Sequence, residues 1–292
     1  MRQVVRGRDL SLSTFLTAVM MRVFCAAILS WSLLGRTALA SGSKIEIQLI
    51  PRFTEVLPGE KLDIVAHFSV PADWHIYWKE PGVFGLPTKF HFSIRGTETP
   101  ATARWAIPNI KEHAADEGLS FQYDTAFSVV FSEIAMPEEH RDVVPLVLHW
   151  KWLECSAEVC IPKSGETSIQ LPMIRVRESS QNPLYEQFAR QVPEPEFFQF
   201  ERTQALGGDG QQQLVLKASP QKLKRSGIPK GVGAYIGPGY RFESGALDQT
   251  GLALTFSVRD PQRALLNKNR QIEGFIVNSE GAGAYAFYGR YE

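Results

Sequence analysis

The chain has 292 residues, enough for two ordinary domains with sizeable hydrophobic cores. It is 44% hydrophobic and 21% charged, and its 23 glycines and 18 prolines favour short strands joined by turns over long helices. Formal net charge is zero, and setting aside the first forty residues leaves 26 basic against 30 acidic side chains, a mildly acidic balance that gives no purchase to nucleic acid or to an anionic membrane surface.

The first forty residues read as a leader. Arg22 precedes the apolar run Val23–Leu34, which is followed by Gly35 and the small-residue site Ala38-Leu39-Ala40. That is the layout of a secretory signal peptide cleaved after Ala40. The run is shorter than the roughly 20 residues that span a bilayer, so cleavage is expected over an uncleaved anchor. Cys25 lies inside the run and is expected to leave with it. Met20 and Met21 also suit a later start. No later stretch is long and apolar enough to cross a membrane as a helix, so the mature protein is expected to be exported and soluble. Thiols in an oxidising compartment pair unless something reduces them. Only Cys155 and Cys160 remain to do so, too few for a disulfide scaffold.

Lys44–Leu49 alternates polar and apolar residues, as a half-buried strand does, and Lys61–Val70 repeats the pattern after the turn Leu57-Pro58-Gly59-Glu60. Trp74-His75-Ile76-Tyr77-Trp78 leads into a Gly/Pro-rich loop, Lys79–Pro87. Strands are expected again at Thr88–Ile94, Ala126–Ile134 and Val143–Leu153. In the last, Val144, Leu146, Leu148, Trp150 and Trp152 share one face by the two-residue period. Cys155 falls where this inward-facing ladder ends. Thr167–Leu171 can run back beside it, making Glu154–Glu166 a hairpin tip. Short strands at this spacing suggest a β-sandwich.

Around residues 177–195 the texture changes. Pro183–Arg190 reads as a short amphipathic helix closed by Pro193 and Pro195. Beyond it, Phe197–Arg202, Gln213–Ala218, Leu252–Val258 and Gln271–Val277 are strand-like, with glycine-rich turns at 207–210 and 281–283. The expected fold is therefore all-β. An immunoglobulin-like sandwich occupies residues 41–176, a helical connector 177–195, and a second β-rich domain 196–292. That second domain contains no Cys, His, Trp or Met, so scaffolding or docking is its expected role.

The cysteine pair admits three readings. As a structural bridge it would close a loop of about six residues, contributing only about 2 kcal/mol in the chain-entropy model. As an exchanging pair it is well placed, because short-range bridges at a hairpin tip are accessible and labile. As a metal site, its two thiolates suit Cu(I), with His149 or Met173 as candidate helpers, but zinc would need two more ligands. Spacing favours exchange over bracing. Lys151 and Lys163 would favour thiolate, whereas Glu154 and Glu158 oppose it. The five tryptophans beyond the leader (74, 78, 105, 150 and 152) default to core, and His67 and His75 read as strand residues. Ser164-Gly165 lacks a nucleophile elbow. Phe84 sits at an apolar loop tip and would be buried either over the cysteine pair or as a plug at the end of the sandwich.

Three segments together carry a resemblance: Trp74-His75-Ile76-Tyr77-Trp78 with Pro81-Gly82 and Gly85-Leu86-Pro87; Trp105-Ala106-Ile107-Pro108; and Trp152-Leu153-Glu154-Cys155 with Cys160-Ile161-Pro162. Over about residues 44–175 the sequence resembles the N-terminal periplasmic domain of the DsbD/ScsB family of thiol:disulfide interchange proteins. The resemblance implies an immunoglobulin-like redox domain that needs no cofactor. Its partners would be a membrane thiol reductase and periplasmic thioredoxin-like or disulfide-containing proteins. It implies that Cys160 is the sulfur that attacks partners and Cys155 the resolving one. Phe84 would lie in a shielding cap loop, and Glu80 near the sulfurs to assist proton transfer. The transmembrane and thioredoxin-like segments of full-length family members have no counterpart in this sequence, so the electron donor is expected to be a separate protein.

Overall fold

The computed structural model describes residues 44–113, 118–177, 181–206, 212–218, 229–237, 240–248, 251–258, 270–278 and 284–291. The expected leader, its cleavage site, Cys25 and the glycine-rich turns at 207–210 and 281–283 lie outside them. In chain order the first half forms β1 (Glu46–Pro51), β2 (Lys61–Ser69), β3 (Ile76–Gly82), β4 (Lys89–Ile94), β5 (Thr97–Thr99), β6 (Thr102–Trp105), β7 (Asn109–Glu112), β8 (Leu119–Tyr123), β9 (Phe127–Ala135), β10 (Val143–Cys155) and β11 (Cys160–Pro172).

Two antiparallel four-stranded sheets make a sandwich, one in the order β1-β2-β9-β6 and the other β11-β10-β4-β5. The alternation of β2 and β10 explains why. Leu62, Ile64, Ala66 and Phe68 point one way from β2, and Val144, Leu146, Leu148 and Trp152 one way from β10; all eight are buried. They meet across an aromatic layer. Phe68 stacks on Phe127 at 4.5 Å between ring centroids and lies edge-on to Trp152 at 6.2 Å, while Phe92 meets Phe131 at 5.0 Å. Such pairs add to the area they bury.

The outer face of the β1-β2-β9 sheet is also apolar, through Ile50, Val65 and Val130. A face of that kind must be covered. The cover is α1 (Pro183–Ala189), a seven-residue helix whose Asn182 cap accepts a hydrogen bond from the Leu184 N–H at 3.1 Å. Tyr185 and Val192 are buried against the sheet, and the Phe188 ring lies tilted against His67 at 4.1 Å. The connector is thus pinned to the sandwich rather than hanging between domains.

The second half forms β12 (Glu196–Leu206), β13 (Gln212–Ala218), β14 (Pro229–Tyr235), β15 (Tyr240–Asp248), β16 (Gly251–Val258), β17 (Gln271–Asn278) and β18 (Ala284–Tyr291). They build one sheet in the order β14-β17-β18-β12-β13-β16-β15, antiparallel throughout except for β12 beside β18. Its end strands approach each other, Gly245 of β15 lying against Val232 of β14, so the sheet curls into a nearly closed barrel around residues such as Phe198, Leu216, Leu254, Phe256 and Phe287.

A third sheet of the first half, β3-β8-β7, joins the two parts. Trp78 of β3 meets Phe275 at 5.2 Å, and Phe121 of β8 meets Phe275 and Phe242 at 5.3 and 5.9 Å. Lys79 pairs with Glu273 and lies over the Trp78 and Tyr235 rings. One hydrophobic core therefore runs from sandwich to barrel, and Ser43–Glu292 is a single compact unit.

A cysteine pair at the end of a long hairpin

β10 and β11 form a hairpin thirteen residue pairs long, from Val143 opposite Pro172 to Cys155 opposite Cys160. The ladder reaches the cysteines themselves, so the tip is only Ser156–Val159, much shorter than the Glu154–Glu166 tip expected from the sequence. Ser156 closes it: its N–H donates to the Val159 carbonyl at 2.8 Å, and its Oγ accepts from the Glu158 and Val159 N–H groups.

Cys155 and Cys160 are joined as a disulfide with their Cα atoms 4.0 Å apart. The backbone explains that proximity. Both hydrogen-bonding groups of Cys155 go to His75, just before β3: each N–H donates to the other's carbonyl at 2.9 Å. Towards β11, Cys155 is therefore in a non-hydrogen-bonded pair, the kind in which facing side chains come closest. The two sulfurs differ sharply in access. Cys155 is 0% exposed, whereas Cys160 is exposed at the end of an edge strand.

The cysteines do not extend the aromatic ladder. Counting by two from Trp152 leads to Glu154, and it is Glu154 that ends the inner face, fully buried, accepting from Trp152 Nε1 at 2.9 Å and from the Lys44 N–H at 3.1 Å. Lys163, opposite Trp152, belongs to that face too. Cys155 lies on the other face with Leu153 and Lys151, and Lys151 is four residues, roughly 13 Å, down the strand. Of the four charges expected to tune the thiols, Glu154 and Lys163 are thus turned away. Glu158 sits at the exposed tip between the two cysteines.

The row His75–Cys155–Cys160 continues along β3 to Tyr77, whose hydroxyl is 3.2 Å from His75 Nε2. Burial pushes the His75 pKa below its ordinary value, with Asp124 opposing and Lys111 reinforcing the shift. Tyr77 carries the cap loop. Gly85, at φ +95°, rests on its ring so closely that a Cβ there would come within 2.5 Å. Thr88 Oγ1 donates to the Tyr77 carbonyl at 2.5 Å. Sequence reasoning set His75 aside as a strand residue. The missed signal is pairwise: only the fold brings it opposite Cys155.

The two expected cap-loop residues have different surroundings. Phe84 lies edge-to-face on His113 at 4.5 Å and is 45% exposed, while its neighbour Gly85 rests on the Tyr77 ring. Glu80 is buried five residues beyond His75, past an irregularity in the pairing of β3 with β8. Its neighbours are Gly82, whose N–H it accepts at 3.3 Å, and Arg241 and Glu243 of β15. Burial, the dominant cause, raises its pKa to about 7. It stands at the junction with the barrel.

The copper helpers are also remote. His149 is six residues down β10 from Cys155, roughly 20 Å. It bonds Ser93 Oγ at 2.7 Å and Glu166 at 3.0 Å. Ser93 is only 5% exposed, so this trio is a cross-strand polar lock rather than an open nucleophile. Met173 lies past the far end of the hairpin, bridged to Val56. Among the described residues no group of three or more His, Cys, Asp or Glu is arranged to hold a metal ion. Neither of these two helpers would add a ligand to a Cu(I) ion on the reduced sulfurs. An 820 Å³ cleft opens where the sandwich meets the barrel, lined by residues such as Trp78, Arg104 and Arg270, and contains neither cysteine.

Comparison with known proteins agrees with this geometry. Residues 48–172 match the family described as thiol:disulfide interchange protein DsbD, N-terminal. The N-terminal periplasmic domain of ScsB from Proteus mirabilis superposes with a TM-score of 0.51 at 15% identity, covering 86% of this chain and 94% of that one. It thus shares the whole two-part fold. The reduced N-terminal domain of Neisseria meningitidis DsbD aligns over 43% of this chain and 83% of that one, at 10% identity and a TM-score of 0.27, too low to bear on the fold. No curated protein matches the sequence. No helix among the described residues is long and apolar enough to cross a membrane. Thiol–disulfide interchange is the chemistry that this family and the bonded pair at the hairpin end support. Residues 48–172 constitute an N-terminal domain of the DsbD family of thiol:disulfide interchange proteins.

Proposed function

We propose that the chain is a periplasmic thiol–disulfide interchange protein whose Cys155–Cys160 pair receives electrons from a separate membrane reductase and passes them to disulfides in thioredoxin-like or other periplasmic partners. The observation that carries this reading is the asymmetry of the pair, an exposed Cys160 bonded to a fully buried Cys155. An incoming group can reach only one sulfur. The Cys160 thiolate attacks a partner disulfide, forming a mixed disulfide and releasing one partner thiolate. Cys155 then attacks Cys160 Sγ, the mixed disulfide breaks, and the second partner sulfur leaves reduced. Two electrons pass to the partner and the Cys155–Cys160 bond re-forms. The membrane reductase reverses these steps. The leader pattern and the periplasmic origin named for the ScsB domain support the compartment.

A bracing role accounts for less. The bridge joins two residues that a thirteen-pair ladder already holds opposite each other, across a loop too short to restrict the unfolded chain much. The test is trapping. Cys155→Ser, reduced, should accumulate a covalent complex with a periplasmic thioredoxin-like protein through Cys160, and Cys160→Ser should not. If neither variant traps a partner and the wild-type pair stays oxidised at potentials that reduce exchange-active bridges, the reading fails.

A further inference from the structure

The exchange reading leaves one step without a protein group to perform it. When Cys155 resolves the mixed disulfide it must act as a thiolate. Yet it is 0% exposed, its peptide groups are bound to His75, and no solvent reaches it to take its proton. The side chain beside it decides what can. His75 and Cys155 form a hydrogen-bonded antiparallel pair, so their side chains leave the sheet on the same face with Cβ atoms about 5.5 Å apart. Cys160 continues the row on the far side of Cys155. Imidazole, buried sulfur and exposed sulfur thus stand in line across three chain segments.

Resting on the exchange reading, we propose that His75 is the general base for Cys155, oriented by Tyr77. His75 Nε2 lies 3.2 Å from the Tyr77 hydroxyl, and in the tautomer that acts as the base Nε2–H donates to that hydroxyl, which leaves the Nδ1 lone pair for the sulfur. In resolution the proton of Cys155 Sγ passes to His75, the thiolate attacks Cys160 Sγ, and the partner sulfur leaves as a thiolate that takes a proton from water. In the reverse direction the imidazolium returns its proton to Cys155 as that sulfur leaves Cys160. The groups facing the ring suit the task. Burial favours neutral imidazole, Lys111 adds to that, Asp124 opposes it, and the Tyr77 phenol is kept neutral by its own burial. Tyr77 also carries Gly85 of the cap loop and is a positioning residue.

The experiment uses the reduced full chain and 5,5′-dithiobis(2-nitrobenzoate) as a disulfide probe. One thionitrobenzoate is released as Cys160 forms the mixed disulfide and a second as Cys155 resolves it. In the wild type the rate of the second release should rise through a pKa below 6.5 and then level off. His75→Gln should lose that limb and slow at pH 7 by about 100-fold, within the range of general-base effects, and Tyr77→Phe should lose part of the rate and shift the limb. A folded His75→Gln with the wild-type profile overturns the assignment and leaves the exchange reading standing. A wild type that gives the first release but never the second sinks the exchange reading and this proposal with it. Should His75→Gln not fold, His75 itself can be titrated by NMR in the reduced wild type and in reduced Cys155→Ser. A midpoint that moves between them supports the coupling; an unmoved one overturns it.

Discussion

The sandwich and the barrel are filled with the same kinds of side chain and differ in what they offer a partner. Both bury aromatic rings at strand spacing, Phe68, Phe92 and Trp152 in one, Phe198, Phe256 and Phe287 in the other. Every cysteine, histidine and tryptophan of the described chain belongs to the first. The barrel therefore cannot share in thiol chemistry directly, and what it can do is hold β3. That strand follows His75 at the disulfide, passes Tyr77 under the cap loop and Trp78 in the shared core, and reaches Glu80 among the barrel's charges. A single strand thus links the chemistry to the supporting domain, and its two ends are what experiments should separate.

The largest expected contrast is between the two sulfurs. In the reduced protein Cys160 should alkylate faster than Cys155 by roughly tenfold or more, because only one is open to reagent; quench-and-digest mass spectrometry reads the ratio, and equal rates would remove the asymmetry on which the functional reading stands. Next comes the shared core. Phe275→Ala empties the contact between Trp78, Phe121 and the barrel and should cost about 3–5 kcal/mol. Denaturant unfolding should show one transition moving as a whole, whereas two separated transitions would mean that sandwich and barrel fold independently.

Glu80 supplies a pH test at the barrel end of β3. Its folded pKa of about 7 lies above that of an ordinary carboxyl, so the folded state holds the proton more tightly. Stability from this group is fully present below the unfolded value, near 4.5, and is lost as pH rises through about 7, a difference on the order of 3 kcal/mol. Glu80→Gln should flatten that decline between pH 5 and 8 in urea midpoints, and an unchanged slope would place the titration elsewhere. The smallest effect belongs to the connector: Asn182→Ala removes the cap of α1 and should cost about 1 kcal/mol without changing exchange. Thermal unfolding and the thionitrobenzoate assay read the two separately.

Much of the fold was legible because period-two alternation is local. It marked β1, β2, β4, β9 and β10 in the sandwich and β12, β13, β16 and β17 in the barrel. It passed over β14, where glycines at 231 and 233 blur the pattern, and also β15, β18 and the short strands β5 to β8. The parity of Cys155 could also have been read. Three residues beyond Trp152, it must face away from the ladder, and treating it as the ladder's end confused proximity in sequence with a shared face. The loop expected at Lys79–Pro87 begins later than the sequence suggested, because β3 continues to Gly82 and brings Glu80 to the barrel junction.

The sequence by itself determined the strand periodicity, the presence of only two cysteines beyond residue 40 and the nearness of those two to each other, because each follows from residue type and short spacing. Tertiary structure alone decided that Cys155 is buried while Cys160 is open, that His75 stands beside the buried sulfur, and that the barrel grips the far end of the same strand. Those outcomes depend on pairing between segments eighty to two hundred residues apart, such as His75 with Cys155 and Trp78 with Phe275. No local pattern encodes which distant strand end will lie opposite which; the burial of two whole sheet faces selects it.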